Sequence, residues 1–110
     1  MADSAGILAQ VNPTATTLTD AYTVPAGKLY AVISTITVCN RSAAATTFRI
    51  SVAKAGIADD VKQYIVYDSE LPENASLPWT LGITLSVTDV LRVYVANATV
   101  SFNVFGVEVS

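Results

Sequence analysis

The chain predicts an all-β fold: a single antiparallel β-sandwich of seven to eight strands, jelly-roll or immunoglobulin-like, with an N-terminal arm. Three observations predict it. Apolar and polar residues alternate with period 2 in most segments, as they must when one face of a strand meets a core and the other meets solvent. Turn-forming residues separate these segments at intervals of about 10–15 residues, the spacing of short strands in a sandwich. No helical periodicity of useful length interrupts them; Ala43-Ala44-Ala45 is too short for a helix and reads as loop.

The segments follow in order. Residues 1–13 precede the regular strands and are read as an arm lying against the domain or a neighbouring chain, with Ile7, Leu8 and Val11 as apolar anchors. Residues 14–110 form the sandwich domain. Residues 14–24 are Thr-rich and predict an edge strand, closed by the turn Pro25-Ala26-Gly27. Residues 29–38 are a long β-branched run, apolar on both faces in places, which predicts a central strand bent near Ile33-Ser34. In Thr47-Phe48-Arg49-Ile50-Ser51-Val52-Ala53 the residues Phe48, Ile50 and Val52 share one face. Residues 61–67 predict a strand with Tyr64 and Tyr67 on opposite faces. Residues 77–85 predict one interrupted by Pro78 and Gly82, with Pro78 placing its start at an edge or bulge. Residues 90–95 turn Leu91, Val93 and Val95 inward. Asn97-Ala98 reads as the tight turn of a hairpin into the last strand, 100–109, where a phase slip at Phe105-Gly106 predicts a β-bulge.

A chain of 110 residues suits one domain. Apolar residues are 52% of it and charged residues only 14%, so the polar surface comes mostly from Ser, Thr and Asn. Such a surface points to a protein packed in its working state against copies of itself or a partner, with a monomer bearing a Thr-rich β surface as the alternative. The net charge of −3, with three Lys and three Arg scattered singly, argues against a nucleic-acid footprint or a polybasic membrane patch. Cys39, the single cysteine, excludes an intramolecular disulfide and a cysteine-cluster zinc site, and reads as a small buried hydrophobe. Met1-Ala2-Asp3-Ser4 lacks the basic and apolar regions of a secretory signal, which predicts a protein made in the cytoplasm and leaving it only within an assembly.

The chain contains no histidine, which removes Ser-His-Asp and Cys-His catalysis and histidine metal sites. Five scattered glycines form no phosphate loop. The carboxylates Asp59-Asp60, Asp68, Glu70 and Glu73 fall at expected turns and strand ends without calcium-loop spacing, and they read as turn formers rather than a metal site or a glycosidase pair. The expectation is a non-enzymatic protein with no cofactor and no metal. Trp79 reads as core filler or an interface anchor; together with Tyr64, Tyr67 and Tyr94 it would form a carbohydrate platform only if exposed. The sequons at Asn40, Asn74 and Asn97 reflect the turn preference of Asn and Ser/Thr.

A Thr-rich lead is followed by Val24-Pro25-Ala26-Gly27-Lys28, Ile36-Thr37-Val38-Cys39-Asn40, Phe48-Arg49-Ile50 and Tyr64-Ile65-Val66-Tyr67-Asp68. Leu81-Gly82-Ile83-Thr84-Leu85 and Val100-Ser101-Phe102-Asn103-Val104-Phe105-Gly106 complete the series. From Val24 onward this order resembles small structural proteins encoded in tailed-bacteriophage and prophage genomes, including phages of cyanobacteria. The resemblance implies a virion component, assembled in the host cytoplasm. It would be a capsid decoration or cement protein bound to the major capsid protein, homo-oligomeric and most often trimeric, with no nucleic acid or membrane as partner. Tail, baseplate and fibre proteins are the neighbouring implication, and a carbohydrate-binding attachment module is a further alternative. Ile7, Leu8, Val11, Trp79 and Tyr94 are the candidate interface residues, with the arm clamping a neighbouring subunit.

Overall fold

The computed structural model describes residues 3–110; Met1 and Ala2, expected to be held with the rest of the N-terminal segment, lie outside the described residues. Nine strands follow in the order β1 (Ser4–Val11), β2 (Thr19–Thr23), β3 (Tyr30–Asn40), β4 (Thr46–Ala53), β5 (Tyr64–Leu71), β6 (Ser76–Trp79), β7 (Ile83–Ser86), β8 (Val90–Val95) and β9 (Val100–Val109). Two 3-10 turns, Lys54–Gly56 and Val61–Gln63, lie between β4 and β5, and no α-helix occurs among the described residues. The strands form two antiparallel sheets packed as a sandwich. A five-stranded sheet has the order β1-β9-β3-β6, with β7 also paired to β3; a four-stranded sheet has the order β2-β8-β4-β5.

The inward rows explain why these segments are strands. Ile33, Ile36 and Val38 of β3 meet Phe102 and Val104 of β9 on one wall of the core. Phe48 and Ile50 of β4 with Leu91, Val93 and Val95 of β8 form the other, and all ten are essentially inaccessible to solvent. Alternate residues of each strand supply them, as the period-2 pattern requires. Phe48 sits at the centre, edge-on to Phe102 at 6.2 Å and to Trp79 at 5.9 Å. One polar contact crosses the core's margin: the Tyr22 hydroxyl of β2 donates to the Glu108 carboxylate of β9 at 2.6 Å. Burial first, and then this carboxylate, push the Tyr22 phenol above its ordinary value.

The structure changes several expectations, each for an identifiable reason. From Ser4 to Val11 the segment expected to be an arm is an edge strand, β1, hydrogen-bonded along β9, with Leu8, Ala9 and Val11 packed against the core. The segment 77–85 divides at Gly82, whose φ of +64° turns the chain between two short strands. β6 pairs with residues 36–39 of β3 and β7 with residues 30–33, so together they fill one position at the sheet edge. These two changes raise the expected seven to eight strands to nine. Asn97-Ala98 does not close a hairpin, because β8 and β9 belong to different sheets; the link carries the chain across the sandwich.

The expected bulge in the last strand is displaced onto its neighbours. β9 keeps its alternation to Gly106, while the register shifts leave one extra residue in β1 (Leu8) and one in β3 (Ser34), on either side of Phe105. The bend expected at Ile33-Ser34 is therefore present. Gly106 matters because a Cβ there would lie 2.0 Å from the Val32 carbonyl oxygen of β3. At the start of β5, Asp60 caps the 3-10 turn Val61–Gln63 and delays the strand to Tyr64. β5 has two further register shifts against β4, and the one between Tyr64 and Val66 brings Tyr64 and Tyr67 to the same side, where their rings meet at 5.1 Å, not to opposite faces as expected. Cys39 alternates outward and is half-buried on the outer face of the five-stranded sheet rather than in the core.

Candidate docking faces

Each sheet has one face in the core and one turned outward, and the two outward faces differ in chemistry. Across the five-stranded sheet the register places Ala5, Val107, Val32 and Thr84 in one row. Ile7, Phe105 and Thr35 form the next, and Val109, Tyr30 and Ser86 lie at one end. Toward the other end Gln10, Asn103, Thr37 and Pro78 align, with Gln10 donating to Asn103 at 2.7 Å. Among the described residues no charged side chain occupies an outward position on these five strands. Strands β3 and β9 cause this: apart from Asn40 and Glu108 at their ends, both are apolar at inward positions, and their outward positions are apolar, hydroxylic or, at Asn103, an uncharged amide, so the sheet is water-repelling on both sides near Tyr30, Val32, Phe105 and Val107. Ile7 is 59% exposed there and Tyr30 is also exposed.

The outer face of the four-stranded sheet carries the charge. Arg92 of β8 pairs with Asp20 of β2 at 3.0 Å and donates to the carbonyls of Gly56 and Ile57, tying that loop to the sheet. Arg49 of β4 makes a two-pronged contact with Asp68 of β5, at 2.6 and 3.2 Å. Its guanidinium lies over the rings of Tyr67 and Tyr94, 4.2 and 4.4 Å from their centroids. The bulge in β5 makes this possible by holding Asp68 at φ +49°, a left-handed conformation that Asp and Asn tolerate better than most residues. Tyr64 completes the cluster edge-on to Tyr67 and donates to Asp59 at 3.2 Å; burial, then this hydrogen bond, raises its phenol above the ordinary value.

The hydrogen bond from Arg49, opposed by a smaller effect of burial and aided by the charge, holds the Asp68 carboxyl below its ordinary value. A depressed carboxyl stabilises the native state above the unfolded-state pKa of about 3.9, and that contribution is lost as pH falls through the lower native value. Asp68→Asn keeps a residue that accepts the left-handed conformation but removes the titration. Its acid unfolding curve below about pH 4 is expected to be shallower than that of the unsubstituted protein; parallel curves would show that the pair is not linked to folding.

The sequence candidates separate between these surfaces. Ile7 lies on the uncharged face, Tyr94 on the charged face, and Leu8, Val11 and Trp79 turn inward and pack against the core. Trp79 therefore does not join Tyr64, Tyr67 and Tyr94, and the four aromatics form no common platform. Its Nε1 has no acceptor among the described residues. The outward residues Val32, Phe105 and Val107 were not singled out from the sequence, although the two-sided apolar character of their strands was the signal.

Three of the five carboxylates considered for chemistry have structural work. Asp60 accepts from the Lys62 amide, Asp59 from Tyr64, and Asp68 from Arg49. Asp89 accepts from the amides of Ala55 and Ser86. No group of three metal-ligating side chains occurs among the described residues. A shallow cavity of about 280 Å³ opens between β4 and β7, floored by Val52 and Leu85 and rimmed by Lys54 and Lys62. No family model matches the chain, and no curated protein matches it.

Proposed function

We propose that this chain is a non-enzymatic structural protein of a tailed-bacteriophage particle, a capsid decoration or cement protein that stabilises the head by binding the major capsid protein. The observation that carries the assembly part of this reading is the uncharged outer face of the five-stranded sheet. The chain has 15 charged residues, six basic and nine acidic, and none stands on the outward positions of those strands. Uncharged outward rows with Ile7 and Tyr30 exposed on them fit a surface used in protein contact.

The strand order supports the same reading. With β6 and β7 taken as one interrupted strand, the chain crosses between the sheets at every step except β4 to β5, an order that fits the winding of a jelly roll, an architecture common in capsid and lectin domains. Fold alone does not assign function; the particle assignment rests on the resemblance of the segments from Val24 onward. The Tyr67–Arg49–Tyr94 stack gives the opposite side a preorganised cluster of the residue types that dominate contact energies, suited to a second contact on a shell protein.

The test is location and copy number in particles of the phage that encodes the chain. The expected result is many copies distributed over the head, together with lower thermal stability of heads that lack the protein. A few copies confined to the tail would replace the head reading with a tail or baseplate component, and absence from particles would overturn the virion reading.

A further inference from the structure

We infer that the uncharged outer face of the five-stranded sheet is a two-fold contact with a second copy of the same chain, an inference that rests on the assembly reading of that face. A two-fold contact sets one surface against itself, so it brings each residue of the patch close to the same patch on the other copy. On the charged face, self-apposition would gather Arg49, Arg92, Asp20 and Asp68 with their own duplicates and would desolvate two ion pairs on each copy. On the uncharged face it gathers Val32, Phe105, Val107, Ile7 and Tyr30 with no charge on the rows themselves; Lys28 and Asp3 meet Ser110 beyond the Tyr30–Val109 end.

The dimensions agree. β3 has 11 residues and β9 has 10. At about 3.3 Å per residue and about 4.8 Å between strands, four strand positions present roughly 600 Å² in projection. A stable specific contact buries about 800 Å² on each partner, and projection understates the area of protruding side chains. Two such faces would stack as sheets do inside a sandwich, with strand directions offset by about 30°. A three-fold ring needs two different surfaces on each copy, whereas one uncharged face set against itself closes a two-fold pair. The predicted solution species is a dimer with four sheet layers.

The experiment is sedimentation or light-scattering mass on the full chain across a range of concentration, on the unsubstituted protein and three variants. Val107→Lys puts a charge in the middle of the face. Ile7→Lys puts one at its rim, where 59% exposure makes the substitution harmless to folding. Thr47→Lys is the control on the opposite face. Far-ultraviolet circular dichroism verifies that each is folded. The expected result is twice the 11.5 kDa chain mass for the unsubstituted protein and for Thr47→Lys, and a shift to the single-chain mass for Val107→Lys and Ile7→Lys. A monomer at all concentrations, a trimer, or a dimer indifferent to both face substitutions would overturn the inference. Particle occupancy is measured separately: a monomer that still decorates heads would defeat the dimer and leave the assembly reading standing, and a dimer absent from particles would do the reverse.

Discussion

Gly106→Ala is expected to cost about 3 kcal/mol or more, or to prevent folding, although it adds a single methyl group. The reason is position. Gly106 of β9 holds an inward place opposite Ile33, where the bulge at Ser34 drives the β3 backbone toward it. A Cβ would stand 2.0 Å from the Val32 carbonyl oxygen and 3.0 Å from the Ile33 Cα. Both are backbone atoms in the middle of the five-stranded sheet, so no side-chain rotation relieves the collision. Only separation of β3 from β9 does, and these are the two strands that build the uncharged face. Urea unfolding midpoints measure the effect. Gly27→Ala is the control, since a Cβ there meets nothing within 4 Å and its change is expected to stay within about 0.5 kcal/mol. A Gly106→Ala protein with an unchanged midpoint would mean that β3 and β9 do not approach in this way.

Asn40→Asp is the second large effect. The Asn40 side chain is 1% exposed and joins three connections at one end of the sandwich. Its amide nitrogen donates to the carbonyls of Ala44 at 2.9 Å and Pro72 at 3.2 Å, with Leu71 at 3.4 Å. Its oxygen accepts from the Ser42 amide at 3.1 Å and the Thr99 hydroxyl at 3.2 Å. Aspartate has the same shape, but at neutral pH it turns the donating end into a carboxylate oxygen facing carbonyl oxygens in a buried site. The expected loss is about 3 kcal/mol or more at pH 7. The sign of the pH dependence follows. Burial against acceptors raises the native pKa of the new carboxyl above its unfolded value near 3.9. The native state then binds the proton more tightly, and the variant gains stability as pH falls, because the protonated acid again offers a donor. The gap between variant and parent should narrow from pH 7 toward pH 4 in parallel denaturant titrations. A gap that is constant with pH would show that Asn40 does not face those carbonyls.

Asn40 also shows where reading the sequence stops. In the chain it is part of Asn40-Arg41-Ser42, a turn signal at the end of a strand, and that much is present: its oxygen caps the turn through Ser42. Its contacts with the loops after β5 and before β9 depend on residues 31 and 59 positions away, which no local pattern encodes. Gly106 is a similar case. A glycine in an alternating run announces a bulge or a close backbone approach. Which strand takes the extra residue depends on the partners' register, and the structure gives it to β1 and β3. Tyr64 and Tyr67 were expected on opposite faces because three positions separate them; the register shift between Tyr64 and Val66 against β4 reverses that parity.

The candidate surfaces divide in the same way. That Phe48, Ile50, Leu91, Val93 and Val95 face inward follows from alternation alone, since a strand with one apolar side can bury only that side. That Ile7, Phe105, Val107 and Val32 form one surface required knowing that β1, β9 and β3 are neighbours, although β1 and β9 lie at opposite ends of the chain. The strand within the N-terminal segment was not legible for this reason: Ser4–Val11 has a partner strand only when the last strand of the chain is in view.

The sequence by itself determined the class of the fold, the inward rows and most turns, because these rest on periods and residue preferences spanning a few residues. The tertiary structure decided the order of strands, the sites of the bulges, the crossing from β8 to β9 and the segregation of charge onto one outer face. Those are properties of which strands lie side by side. Pairing distant strands is settled by the burial they achieve together, a quantity that does not exist until the two sheets close on one another.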